Sequence, residues 1–152
     1  MTEGINENNV TAWLREHIPG LVSPVTYSLI AGGHSNLTYR CEDAEGSVYV
    51  LRRPPLGHVL QSAHDMGREH KIIDALRYSS VPVARNYGFC QDLNVNEADF
   101  YVMAFIDGVV LNDSSVAAEV PQAERLPIGW HLIDILCQLH AIDPDEVGLG
   151  DL

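Results

Sequence analysis

Two opposite charges set inside apolar patterns constrain this chain of 152 residues more than any other feature: Arg52 on a strand-like run and Glu69 on a helix-like one. Side chains alternate between the faces of a strand. In Val48-Tyr49-Val50-Leu51-Arg52-Arg53, Arg52 therefore shares a face with Val48 and Val50, an apolar face, while Tyr49, Leu51 and Arg53 take the other. Across 63–77 the apolar residues Met66, Ile72, Ile73 and Leu76 recur at helical spacing, and Glu69 falls inside their stripe, a turn away from Met66 and from Ile73. A carboxylate aimed into such a face needs a cation. A guanidinium is always charged, offers a planar fork, and keeps donors to spare. The fold must then bring that strand face against that helix. The pair has two uses on this pattern: a structural ion pair at a surface or sheet edge, or a cation held ready for a phosphate.

Composition narrows the classes. At 46% hydrophobic and 20% charged residues the chain is globular, and no apolar run approaches the ~20 residues of a membrane span. A formal charge of −12 argues against general nucleic-acid or anionic-membrane binding, which rely on Lys and Arg, so neither partner is expected. A cationic substrate suits it better, although acidity also serves solubility. Residues 1–9 are polar and acidic, unlike a secretory leader, and Cys41, Cys90 and Cys137 are scattered, which points to reduced thiols in the cytoplasm. The seven histidines, His17, His34, His58, His64, His70, His131 and His140, show none of the short spacings of a structural zinc site, so no metal site is expected among them.

Along the chain, Val10, Trp13, Leu14 and Ile18 mark an amphipathic helix, with Asn9 as its cap and Pro19-Gly20 as its stop. Three strand-like runs follow at 25–31, 36–42 and 47–53 and read as an antiparallel meander. After the helix that carries Glu69, Val81-Pro82-Val83 breaks the pattern, and two more strands are expected at 84–90 and 100–106, joined by a polar loop over 91–99. Five strands and one main helix close a small α+β layer. Beyond Asp107-Gly108 a weak polar helix begins near Asp113 or Ser114. The segment 126–141 then brings Ile128, Trp130, Leu132, Ile133, Ile135, Leu136, Cys137 and Leu139, apolar on more than one side. Such a helix must be covered all round, either by a second domain or by a dimer partner. Three regions result: an N-terminal helical extension (1–24), the α+β layer (25–106), and a linker with the start of a helical domain (107–152).

Between the first two strands lies Gly32-Gly33-His34-Ser35-Asn36, where glycines let backbone amides approach an anionic ligand closely. The same residues describe an ordinary hairpin, and they match neither the dinucleotide fingerprint nor the Walker loop.

Taken in order, these parts resemble the N-terminal lobe and hinge of the aminoglycoside phosphotransferase family, which has a protein-kinase-like fold. Gly32-Gly33-His34-Ser35-Asn36-Leu37-Thr38-Tyr39 is similar to that family's nucleotide loop, Val50-Leu51-Arg52-Arg53-Pro54-Pro55 to its third strand, and Arg68-Glu69-His70 to its helix glutamate. Phe100-Tyr101-Val102-Met103-Ala104-Phe105-Ile106-Asp107-Gly108 is similar to the strand and hinge joining the lobes. The Leu-Arg-Arg-Pro-Pro strand and Ser62-Ala63-His64 resemble the subgroup also found fused to acyl-CoA dehydrogenases.

The resemblance implies a five-stranded antiparallel N-lobe with one main packed helix, an N-terminal helix, and the first helices of a truncated C-lobe. It implies ATP and Mg2+ as cofactors, the metal ligands lying outside this chain. Amides around Gly32, Gly33, His34, Ser35 and Asn36 would cover the phosphates. Arg52 would grip phosphate oxygens where kinases use lysine, and Glu69 would orient it. Met103 would flank the adenine, with the Ala104 carbonyl and the Ile106 amide on its edge; without the resemblance, Met103 and Phe105 read equally well as strand core. The family's His-Gly-Asp motif, its Asn and its metal-binding Asp are not in this sequence, and His140-Ala141-Ile142-Asp143 has the wrong spacing. The expected protein is therefore an ATP-dependent phosphotransferase acting on a hydroxyl of an unidentified small molecule, this portion being inactive alone. The alternative is a noncatalytic kinase-like module that binds a nucleotide or a partner, with 126–141 as its interface.

Overall fold

All five strand-like runs pair into one antiparallel sheet in the computed structural model, which describes residues 2–31, 36–57 and 64–152. The strands are β1 (Thr26–Ala31), β2 (Leu37–Glu42), β3 (Val48–Arg53), β4 (Asn86–Cys90) and β5 (Phe100–Ala104), in the spatial order β1-β2-β3-β5-β4. The helices are α1 (Glu7–His17), α2 (Met66–Leu76), α3 (Leu93–Asn96), α4 (Ser114–Glu119) and α5 (Gln122–His140). The expected α+β class holds. The chain divides into two compact units, Met1–Asp74 with Ala84–Phe105, and Ala75–Val83 with Ile106–Leu152.

In the first unit the hairpin between β2 and β3 is tight because Asp43 folds its carboxylate back onto the amides of Glu45 and Ser47, at 3.0 and 2.8 Å, while Gly46 takes a φ of +84°. The meander places Tyr39 opposite Leu51 and Cys41 opposite Tyr49, so these side chains share one face. Helix α1 lies among them. Val10 and Leu14 are fully buried with Tyr39, Cys41, Leu51, Phe100 and Val102 in a single cluster. Trp13 meets the Phe100 ring edge-on at 5.0 Å. Each of the larger side chains is worth about 1.5–3 kcal/mol once removed from water.

The apolar face that carries Arg52 is therefore not the one that builds the main core. The larger apolar layer lies on the opposite face of β3, that of Tyr49, Leu51 and Arg53. Alternation separates the two faces but does not say which one receives α1. Arg53, only 7% exposed there, donates to the carbonyls of Gly4 and Pro54 rather than to an acid.

Two local expectations also shift. Asn6, not Asn9, caps α1, its side chain accepting from the Asn9 amide, because the helix starts at Glu7. The 91–99 loop contains α3, a single turn capped by Asp92 and too short for periodicity to reveal. Asn96, at its end, accepts from the Asn6 amide at 2.9 Å and so ties this turn to the start of α1.

In the second unit the carboxylate of Asp113 accepts from the amides of Ser115 and Val116 and starts α4, as the sequence indicates. Helix α5 begins at Gln122, ahead of Pro127, and none of its residues is buried: Trp130 and Leu132 are each 59% exposed. No described helix is long and apolar enough to cross a membrane.

Candidate functional site

The second face of the sheet carries a row of side chains fixed by strand register. Thr38 lies opposite Arg52, Arg52 opposite Tyr101, and Tyr101 opposite Phe89, so one residue from each of β2, β3, β5 and β4 stands in line. Paired residues in antiparallel strands project on the same side, and the row follows from that rule alone. Helix α2 approaches this row at Gly67, where an added Cβ would lie 3.4 Å from the Phe89 ring and 3.2 Å from the Asp65 carboxylate. One turn on, His70 stacks on Phe89, with ring centroids 5.3 Å apart, and meets Tyr101 edge-on at 6.3 Å. Helical geometry then brings Glu69 to Arg52.

Four hydrogen bonds converge on the Glu69 carboxylate. Its Oε2 accepts from Arg52 Nε at 3.0 Å and from the Tyr101 hydroxyl at 2.9 Å. Its Oε1 accepts from Asn36 Nδ2 at 2.6 Å and, more loosely, from Arg52 Nη2 at 3.4 Å. The far side of the guanidinium is held too, Nη1 donating to Thr38 Oγ1 at 3.0 Å. Asn36 Oδ1 faces His64 Nδ1 at 2.7 Å. Because a carboxylate only accepts, the Asn36 amide must turn its NH2 toward Glu69 and its oxygen toward His64, so His64 Nδ1 carries a proton.

The pair is not fully buried as its place in apolar patterns implied. The side chains of Arg52 and Glu69 are 28% and 32% exposed, although Thr38 and Tyr101, which flank Arg52 in the row, are only 7% and 2% exposed. Solvent then screens the attraction, and hydrogen bonding sets the geometry more than raw charge does. Burial disfavours the charge on Arg52. The hydrogen bond to Glu69 and the nearby Tyr101 and Glu69 groups outweigh it, leaving the guanidinium above its usual range. Burial first, then the Glu69 charge, pushes the Tyr101 hydroxyl well above the usual phenol, so it stays protonated and able to donate. Burial lowers His70 below an ordinary imidazole.

Of the residues singled out from sequence, Asn36, Arg52 and Glu69 come together. Gly32, Gly33, His34 and Ser35 lie outside the described residues. Met103, opposite Val50 and Asn86, projects on the same face as Tyr101, two residues on. The Ala104 amide donates to the Arg85 carbonyl at 2.8 Å, and none of the cluster's hydrogen bonds reaches Met103 or Ala104. Ile106 belongs to the second unit and is 68% exposed. Sequence reasoning gave no role to Thr38, His64 or Tyr101. For Thr38 and Tyr101 the signal was register: alternation puts Thr38 on the face of Asn36 and Tyr101 on that of Met103, the pairing of β2 with β3 brings Thr38 to Arg52, and that of β3 with β5 brings Tyr101 there; His64 lies on no strand.

Known proteins resemble this chain in sequence, and one of them in fold. Acyl-CoA dehydrogenase family member 11 of Rattus norvegicus is 32% identical over 145 residues, which is 93% of this chain and 18% of that protein. The protein of that name from Gallus gallus is 36% identical over 130 residues, 86% of this chain and 16% of its own. The chain thus spans less than a fifth of these relatives, and they meet the expected kinship with the subgroup fused to acyl-CoA dehydrogenases. A candidate aminoglycoside phosphotransferase from Ralstonia eutropha JMP134, known from a crystal structure, superposes with a TM-score of 0.76 at 32% identity, over 95% of this chain and 40% of its own. Residues 26–152 match the model of the phosphotransferase enzyme family, and the chain belongs to that family.

Proposed function

We propose that this chain is the nucleotide-binding portion of an ATP-dependent phosphotransferase that moves a phosphoryl group to a hydroxyl of a small molecule. The observation that carries the reading is the guanidinium of Arg52. It has five N–H donors. Among the described residues three of them have acceptors, on Glu69 and Thr38, and one N–H remains on each terminal nitrogen. A cation so restrained, with two donors left, fits the oxygens of a nucleotide phosphate.

ATP, when bound, supplies the phosphoryl group. Arg52 offsets charge on its phosphate oxygens, which is where catalysis of this kind places its stabilisation. Glu69 already accepts four hydrogen bonds and so orients Arg52. Asn36 follows the glycine segment in sequence, whose amides at Gly32, Gly33, His34 and Ser35 would cover the phosphates, and Met103 and Ala104 border the adenine. Among the described residues no three acidic, histidine or cysteine side chains gather in one place. With no His-Gly-Asp motif present, these residues alone bind nucleotide without turning it over. The free thiols of Cys41, Cys90 and Cys137 suit the cytoplasm.

The test is calorimetric titration of the chain with Mg-ATP. Wild type is expected to bind, and Arg52→Ala and Glu69→Ala each to weaken binding tenfold or more, about 1.4 kcal/mol. Wild-type affinity in both variants overturns the assignment. The noncatalytic alternative draws on the exposed apolar side chains of α5, and would be favoured by tight ATP binding with no transfer to any hydroxyl acceptor by the complete protein.

A further inference from the structure

The Arg52 and Glu69 pair would by itself be a poor positioning device. Both side chains are about a third exposed, both are flexible, and an ion pair in contact with water holds one geometry only weakly. What the pair has in addition is a stiff neighbour. Tyr101 is 2% exposed, lies directly opposite Arg52 in the ladder between β3 and β5, and donates its hydroxyl to the same Glu69 oxygen that accepts from Arg52 Nε. Its ring is clamped against His70, the residue next to Glu69 on α2. A tyrosine has only two side-chain torsions, and strand and helix fix this one on both sides.

We propose that Tyr101 is a positioning residue for the phosphate-binding cation: its hydroxyl fixes the Glu69 carboxylate, which in turn fixes the direction in which Arg52 presents its two remaining N–H groups. This rests on the reading that Arg52 meets nucleotide phosphate. The division of labour follows from the donors. Asn36 steadies Oε1, Tyr101 steadies Oε2, and Arg52 bridges both oxygens, so the carboxylate is pinned at each end before its ligand arrives. Removing the Tyr101 donor frees one end. Glu69 then exchanges a fixed phenol for mobile water, and Arg52 loses its direction while keeping its charge. The Tyr101 hydroxyl itself remains protonated through the neutral range and able to donate.

Tyr101→Phe keeps the ring and deletes only the hydroxyl. Mg-ATP and adenosine are titrated calorimetrically into wild type, Tyr101→Phe, Glu69→Ala and the double variant, with thermal unfolding followed in parallel. Tyr101→Phe is expected to weaken Mg-ATP binding about three- to tenfold and leave adenosine unchanged. In the Glu69→Ala background the same substitution is expected to change nothing, because a residue that acts through Glu69 has no effect once Glu69 is gone. Equal losses for ATP and adenosine, or an undiminished loss in the Glu69→Ala background, would assign Tyr101 to general packing and overturn the proposal. Wild-type ATP affinity in Tyr101→Phe alongside weakened binding in Arg52→Ala would also overturn it while leaving the Arg52 reading intact. Undiminished binding in Arg52→Ala would instead remove that reading.

Discussion

The two faces of the sheet are built from the same strands by the same alternation, yet they do opposite work. On the α1 face Tyr39, Cys41, Leu51, Phe100 and Val102 close a dry layer with Val10 and Leu14. On the α2 face the residues interleaved with them, Thr38, Arg52 and Tyr101, are polar: Arg52 and Tyr101 bond one carboxylate, and Thr38 accepts from Arg52. The dry face pays for the wet one. An ion pair about a third exposed adds little to folding, so a site of this kind needs an apolar layer on its reverse that holds the strands in register.

The largest effect that would break or confirm this comparison is on stability. Leu51→Ala removes a side chain with no exposed surface from the centre of the dry layer and is expected to cost about 2–5 kcal/mol, read from urea unfolding. Arg52→Ala, one residue along the same strand, is expected to cost about 1 kcal/mol or less while removing nucleotide affinity. If the two variants lose equal stability, the faces do not divide the work in this way.

Alkaline pH sharpens the contrast. Burial pushes the Cys41 thiol up to about 12 from an ordinary value of 9.0. Below 9.0 the thiol is protonated in the folded and unfolded chain alike, and its contribution to stability is complete. Between 9.0 and about 12 the unfolded chain ionises first, so stability falls as pH rises, by roughly 1.4 kcal/mol for each pH unit. Tyr27 and Tyr101, also pushed up by burial, add to the loss at higher pH. Cys41→Ala is expected to delay the onset of the alkaline fall without abolishing it, as seen in denaturant midpoints between pH 8 and about 11. An unchanged onset would mean that the thiol meets solvent in the folded chain.

Much of this architecture was legible beforehand because it depends on local pattern. Alternation located all five strands to within about two residues, and the misplaced charges of Arg52 and Glu69 found each other. What alternation could not supply was which face is deeper. Both faces of β3 read as partly apolar, and the choice was made by α1, whose Val10 and Leu14 lie far from β3 in sequence. The partners of the pair were hidden for the same reason: Tyr101 stands opposite Arg52 only because β5 inserts between β3 and β4. Asn36 was picked out for its backbone amide, yet it is the side chain that bonds Glu69. A hairpin register is short-range information; the placement of a fifth strand is not.

Thr38 offers the smallest and most discriminating test of the wet face. It is 7% exposed and touches the cluster through one bond, Oγ1 accepting from Arg52 Nη1. Thr38→Val keeps the branched shape that suits a strand and deletes the acceptor, so stability is expected to change by only about 0.5–1 kcal/mol. Nη1 then faces water, which can replace the lost acceptor because the Arg52 side chain is 28% exposed. Nucleotide affinity should fall about two- to threefold at most, since Glu69 still grips the guanidinium through Nε and Nη2. The same calorimetric titration reads the result. A loss as large as that of Arg52→Ala would mean that the fork is aimed from β2 rather than from α2, and the weight given to Glu69 would pass to Thr38.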